Sequence, residues 1–409
     1  MKRLTLLLLI AFLFLPACSS EETPEATEII SSTATTESID AETDEPTATT
    51  KPSPTPTSTP APPEESSVLP DQYPAEGYGP DNFPEDVNPL TGLIVDDPAL
   101  LDRRPIAVKI PIFPRFGRPP WGLAKADLVF EYYHNGGISR FHAIFYGQDV
   151  EQVAPIRSAR FVDEHFITMY KSNFTYGGTY QDVLDYFSAL PFANRLFYTV
   201  TDVACPPPEG YPVCRFDPDY QNHLMGNTKL LTDYFESTGV DNSRQDLDGM
   251  YFNKSVPDSA LSGLDLKIRY SSANYHRWEF DPEINEYIRY QEKGMTSDEE
   301  YTILVDRITN VPLSADNVVV IIVEHAERES THEAIDLKLN GTGDAYAFRD
   351  GKLYLLKWNR PSEDSVLYLT YPDGEPYPFR PGTTWFELIG ILSEVEGVDT
   401  GLEIRAYVP

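Results

Sequence analysis

The chain has 409 residues and a formal net charge of −32 at pH 7, from 64 acidic and 32 basic side chains. That excess of negative charge repels a phosphate backbone and argues against nucleic acid as a partner. Of the three cysteines only Cys205 and Cys214 lie in the body of the chain, without the further ligands that a zinc site needs.

Residues 1–18, MKRLTLLLLIAFLFLPAC, place Lys2 and Arg3 before an apolar run too short to span a bilayer and small residues before a cysteine, the layout of an export signal. Leu15-Pro16-Ala17-Cys18 resembles a bacterial lipobox, which makes Cys18 the expected lipid-bearing N-terminus. The alternative is a secreted chain with an incidental cysteine. Residues 19–87 are Thr, Ser, Pro and acid, with sixteen acidic residues against Lys51 and no apolar periodicity. Such a segment cannot offset the entropy of ordering it and reads as a disordered tether. Its roughly 70 residues reach on the order of 200 Å when fully extended, enough to hold a folded body off a membrane. Residues 88–409 still carry −19, and no second run of about twenty apolar residues follows. About 320 residues exceed what one core usually serves, so two domains are expected, 88–245 and 250–409.

In the first of these, PIAVKIPI (105–112) reads as a buried strand. LVFEYY and ISRFHAIFYG, joined by His134-Asn135-Gly136-Gly137, read as a hairpin. A loop centred on Asn135-Gly136 sets Glu131 opposite Arg140 as a cross-strand ion pair and Val129 opposite His142. In APIRSARFVDEHF, Ser158 is a candidate cap for a helix that buries Phe161, Phe166 and Met169 or Tyr170. Arg157 and Arg160 then share one face as an anion clamp, or form ordinary surface salt bridges such as Arg160 to Glu164. NFTYGG reads as a strand ending at Gly177-Gly178, and Thr179 as a capping start for the helix DVLDYFSAL. Strand, double glycine and helix start form either an anion-binding corner or a mere tight turn. Another helix starts at Asn227-Thr228 and closes at Gly239.

CPPPEGYPVC is expected to close a short loop through a Cys205–Cys214 disulfide, since an exported protein keeps such pairs oxidised. By the loop-entropy model such a bridge contributes roughly 2–3 kcal/mol. A pair of metal ligands is the alternative. Residues 250–409 are short alternating runs broken by Gly, Pro, Asn and Asp, with hairpins at Asp350-Gly351 and Asp373-Gly374. The expected class is therefore α+β or α/β: an N-terminal mixed α/β domain followed by a mainly antiparallel β domain.

From NPLTGL (88–93) nearly to its end the chain resembles the YerB-like lipoproteins, whose two parts are known as a domain of unknown function. The carriers are RRPIAVKI, GLAKADLVFEYYHNGGISRFHAIF, APIRSAR, the TYGG turn, NVVVIIVE, GTGDAYAFRDGKLYLLKW and RPGTTWFELI, in that order. Ala154-Pro155-Ile156 stands where the family usually has Gly-Pro-Val, and Asn222-His223 where it more often has His-Asn. The resemblance implies an envelope lipoprotein and carries no activity with it.

No GxSxG, HExxH or P-loop is present, and both body cysteines are spent in the expected disulfide. The candidate anion site comprises Arg157, Arg160, Gly177 and Gly178, with Arg140, His142 and His223 as further members. No cofactor or metal is implied. The favoured reading is a protein lipid-anchored on the extracytoplasmic face of a membrane that binds an anionic wall polymer or envelope protein. Two alternatives remain: a phosphoryl or glycan transferase loosely similar to the LytR-CpsA-Psr enzymes, needing a metal-binding acid among Asp127, Asp163 and Glu164, or a purely structural envelope protein.

Overall fold

A computed structural model describes residues 73–217, 223–294, 299–328 and 335–407. The export signal, Cys18 and most of the expected tether lie outside them. Residues 73–87, assigned to the tether by composition, instead pack onto the body. Tyr78 bridges Phe252, Val87 is fully buried, and Tyr73 and Phe83 rest on the core. Their scattered apolar residues have no period because each meets the body separately.

The main structural element is a ten-stranded sheet. In chain order its strands are β1 (Ile106–Pro111), β2 (Leu128–Asn135), β3 (Ile138–Phe145), β4 (Asn173–Tyr176), β5 (Leu196–Tyr198), β6 (Asn317–Val323), β7 (Gly341–Arg349), β8 (Lys352–Arg360), β9 (Tyr368–Thr370) and β10 (Thr384–Gly390). Across the sheet they run β9-β8-β7-β6-β10-β2-β3-β1-β4-β5. Pairing is parallel at β6–β10, β10–β2, β1–β4 and β4–β5, and antiparallel at the other steps. Strands from both sides of residues 245–250 thus share one sheet, joined where β10 lies against β2.

A seven-stranded sheet built around the strands Asp265–Ser271, Asn274–Asp281 and Glu286–Glu292 is mainly antiparallel, as the alternating runs of that half predict. The chain is rich in strands, and among its described residues the expected α/β half contributes three short α-helices: α1 (Asp163–Met169), α2 (Gln181–Ser188) and α3 (Thr228–Ser237). Asn227 caps α3, its side chain accepting from the Leu230 amide at 3.0 Å.

The middle of the large sheet is covered on both faces, so β1, β2 and β3 read as nearly continuous apolar runs rather than alternating ones. On one face Phe130 stacks between Phe166 of α1 and Phe386 of β10, with ring centroids 4.4 and 4.7 Å away. On the other, Trp385 packs edge-on against both Phe141 and, from the second sheet, Trp278. Among the described residues no helix is long and apolar enough to cross a membrane.

Candidate functional site

The β2–β3 register decides which polar side chains share a face. Gly136 and Gly137 both take positive φ, 59° and 77°, so the two-residue turn falls on this pair rather than on Asn135-Gly136. With the irregularity beside His134 the pairing settles one residue away from the expected register. Tyr132 lies opposite Arg140, Phe130 opposite His142, and Glu131 opposite Phe141. A one-residue slip exchanges the two faces, so the expected Glu131–Arg140 ion pair does not form. Arg140, His142, Tyr132 and, from β1, Lys109 face the helices, while Glu131 faces the second sheet.

Arg157 and Arg160 are not on a helix, because α1 begins only at Asp163. Asp163 itself holds the preceding turn open, its Oδ2 accepting from the Arg160 amide at 2.7 Å. The Arg157 amide donates to the Lys109 carbonyl and its carbonyl accepts from the Gly177 amide, both at 2.9 Å, while Ser158 bridges Gly177. The Gly177 amide is therefore used by the fold and does not face a ligand. Thr179 does not cap α2; its hydroxyl donates to the Ala159 carbonyl at 2.8 Å. These bonds lay the 157–160 segment over the ends of β1, β2 and β3, so the arginines converge by chain path rather than by helical spacing.

At the centre Lys109 and Asp163 form a fully buried ion pair at 3.0 Å, and Lys109 also bonds the Tyr132 hydroxyl. Burial pulls the lysine down to about 7 despite the carboxylate. For Asp163 burial acts upward but is outweighed by Lys109 and by the hydrogen bond from His142, which hold it well below the usual carboxylate range. Burial also lowers His142, which as a neutral ring donates Nδ1–H to Asp163 at 2.9 Å and leaves Nε2 without a partner.

Outward from this pair the charge is positive. Arg140 donates to the Ser158 carbonyl at 2.7 Å, its Nε is buried and unpartnered, and burial followed by Arg160 and Arg157 drives its pKa well down. Arg157 is brought down to about 10 by burial and by Arg160. Its guanidinium makes no hydrogen bond or ion pair with any described residue. Arg160 lies 4.7 Å over the half-exposed Tyr180 ring, whose hydroxyl accepts from Asn135. His134, missed in the sequence, is 93% buried with an unpartnered Nδ1; burial, then Arg140 and Arg160, keep it neutral. Its signal was its position two residues after Tyr132, on the same strand face.

The remaining candidates go elsewhere. His223 lies against Phe216 and Phe116 and 3.0 Å from Asp217. Asp127 accepts from Asn88 and from the Tyr146 and Gly147 amides, and burial raises it to about 6. Glu164 accepts from Tyr186. Cys205 and Cys214 form the expected disulfide, with Cα atoms 5.1 Å apart.

Behind the sheet lies a second buried polar group that sequence reasoning did not assemble. Glu131, His276 and Glu387 form the one set of three potential metal ligands among the described residues. Arg289 already occupies the cation position there, 2.7 Å from Glu131 and 2.9 Å from Glu387, boxed by Phe141, Trp278 and Trp385. The signal was a lone glutamate inside each of two apolar strands, LVFEYY and TWFELIG.

Two family models match in chain order: the N-terminal domain of the protein of unknown function DUF3048 over residues 90–201, and its C-terminal domain over residues 266–386. A Bacillus subtilis (strain 168) protein, YerB, whose name marks it as a candidate lipoprotein, is 27% identical over 334 residues, 76% of this chain and 89% of its own. The crystal structure of YerB from Bacillus subtilis shares the fold, with a TM-score of 0.60 at 24% identity over 74% of this chain and 96% of that one. The arginine segment and the Gly177-Gly178 turn fall within the first match. With both halves matched in order, this chain belongs to the DUF3048 family, that of the YerB-like proteins.

Proposed function

We propose that the protein is a lipid-anchored envelope protein that binds the anionic group of an envelope component or partner at Arg140, Arg157, Arg160 and His134. The observation that carries this reading is Arg157: a guanidinium made less basic by partial burial and by Arg160, yet answered by no described side chain. Beside it the buried Arg140 Nε and His134 Nδ1 have no partner either, and such groups are costly unless something uses them. Asp163, which accepts from the arginine segment itself, gives its oxygens to Lys109, His142 and the Arg160 amide, which supports binding over group transfer.

Anchoring rests on the Leu-Pro-Ala-Cys stretch and on the name of the relative. Cys18→Ala moves the protein from the membrane to the soluble fraction in detergent partition, and an unchanged distribution overturns the anchor. For the binding site, calorimetry of the full chain in detergent with inorganic phosphate shows binding that Arg157→Gln weakens tenfold or more, the value of a charge-assisted contact. Equal affinities of wild type and variant overturn the arginine site.

A further inference from the structure

The charge around the arginines narrows the class of anion, given that an anion binds there. Lys109 is matched by Asp163 at 3.0 Å, and His134 is kept neutral by burial and by the guanidiniums around it. Arg140 and Arg157 have no ion pair with a described residue: Arg140 meets only a carbonyl, and Arg157 nothing. Arg160 has contacts of its own, to the Ala159 carbonyl and the Tyr180 ring among others, so the charges of Arg140 and Arg157 are the two left unmatched within one small site. A monoanion leaves one of them uncompensated, whereas a single group bearing two negative charges answers both.

The rest of the protein limits how that ligand is built. Residues 88–409 carry −19, so a polymer with a negative charge on every repeat is repelled wherever it leaves the arginines. The ligand must concentrate its charge at one end and be uncharged beyond it. A phosphate monoester does so, with about −1.5 to −2 charges near neutral pH and three acceptor oxygens suited to guanidinium forks. A phosphodiester or a carboxylate offers about one charge per group. Tyr180, over Arg160 and 42% exposed, marks the side from which an uncharged body reaches solvent.

We propose that the site takes a terminal phosphate monoester, held by Arg140 and Arg157, on a ligand whose remaining body is uncharged. The inference rests on the anion-binding reading above and is separable from it. Calorimetry on the full chain in detergent at pH 6.5, where Lys109 still holds its proton beside Asp163 and a phosphate monoester most of its second charge, compares glycerol 1-phosphate, dimethyl phosphate and acetate. Glycerol 1-phosphate is expected to bind at least tenfold tighter than the other two, and Arg157→Gln to cut that preference to threefold or less. Equal affinity for dimethyl phosphate overturns the monoester class and leaves the anion site standing. Failure of all three probes to bind overturns both.

Discussion

Glu131 and Glu387 lie side by side on the neighbouring parallel strands β2 and β10, and one guanidinium from the other sheet, that of Arg289, holds an oxygen of each. All three side chains are completely buried, and burial raises both carboxyl pKa values. Trp278 donates to the same Glu387 oxygen at 2.8 Å. The trio fixes how the second sheet sits on the first. Removing one partner of a buried ion pair leaves the other charge uncompensated, so Arg289→Met is expected to lower stability by about 3–5 kcal/mol. Adding Glu131→Gln and Glu387→Gln should recover part of that loss. Urea unfolding measures both, and a loss below about 1 kcal/mol for Arg289→Met would show that the carboxyls are held by other means.

The turn that sets the β2–β3 register is a second sensitive point. Gly136 has open space where a Cβ would stand, whereas a Cβ on Gly137 would meet Ser271 at 2.6 Å. Ser271 also donates to the Gly137 carbonyl at 2.7 Å. Both glycines are left-handed, which costs an L-residue about 1–2 kcal/mol. Gly136→Ala therefore loses about that much, and Gly137→Ala measurably more because the backbone must move off Ser271. Equal losses in thermal unfolding would mean that the Ser271 contact yields freely.

Much of this was legible in the sequence, and the misses have a common cause. β1, β2 and β3, the Asp350-Gly351 hairpin and the Cys205–Cys214 bridge are local patterns, and each is where the sequence places it. The hairpin register was missed because Asn-Gly and Gly-Gly overlap in Asn135-Gly136-Gly137, and only the pair with two positive φ values makes the turn. The arginine segment was read as helix because its spacing permits one; the Asp163 bond to the Arg160 amide and the Gly177 bridge keep it extended. Arg289 lies 98 residues from Glu387 in sequence, and no period connects residues that far apart on different sheets.

Lys109 gives a pH signature. Its ordinary value is 10.5 and burial brings it to about 7 in the folded protein. Between those two values the unfolded chain holds a proton that the folded one has released. Its contribution to stability therefore rises as pH climbs from about 7 to about 10.5 and is lost as pH falls through 7. Lysine Cε chemical shifts should show one resonance titrating near 7. If every lysine titrates above pH 10, the Lys109–Asp163 pair is more hydrated than its burial implies.

Arg157 should trade stability for binding. With no described partner and Arg160 beside it, its charge opposes the folded state when no ligand is present. Arg157→Gln keeps a similar length and polarity and removes only the repulsion. The unliganded variant is then expected to be more stable than wild type by about 0.5–1 kcal/mol, the range of a relieved surface charge. Added glycerol 1-phosphate should reverse the order, since a ligand that binds only the folded state stabilises it by mass action, and the wild type binds it more tightly. Urea unfolding with and without that ligand reads both effects on the same protein. If the unliganded variant is the less stable one by 1 kcal/mol or more, Arg157 has a structural partner and the ligand-holding role falls with it.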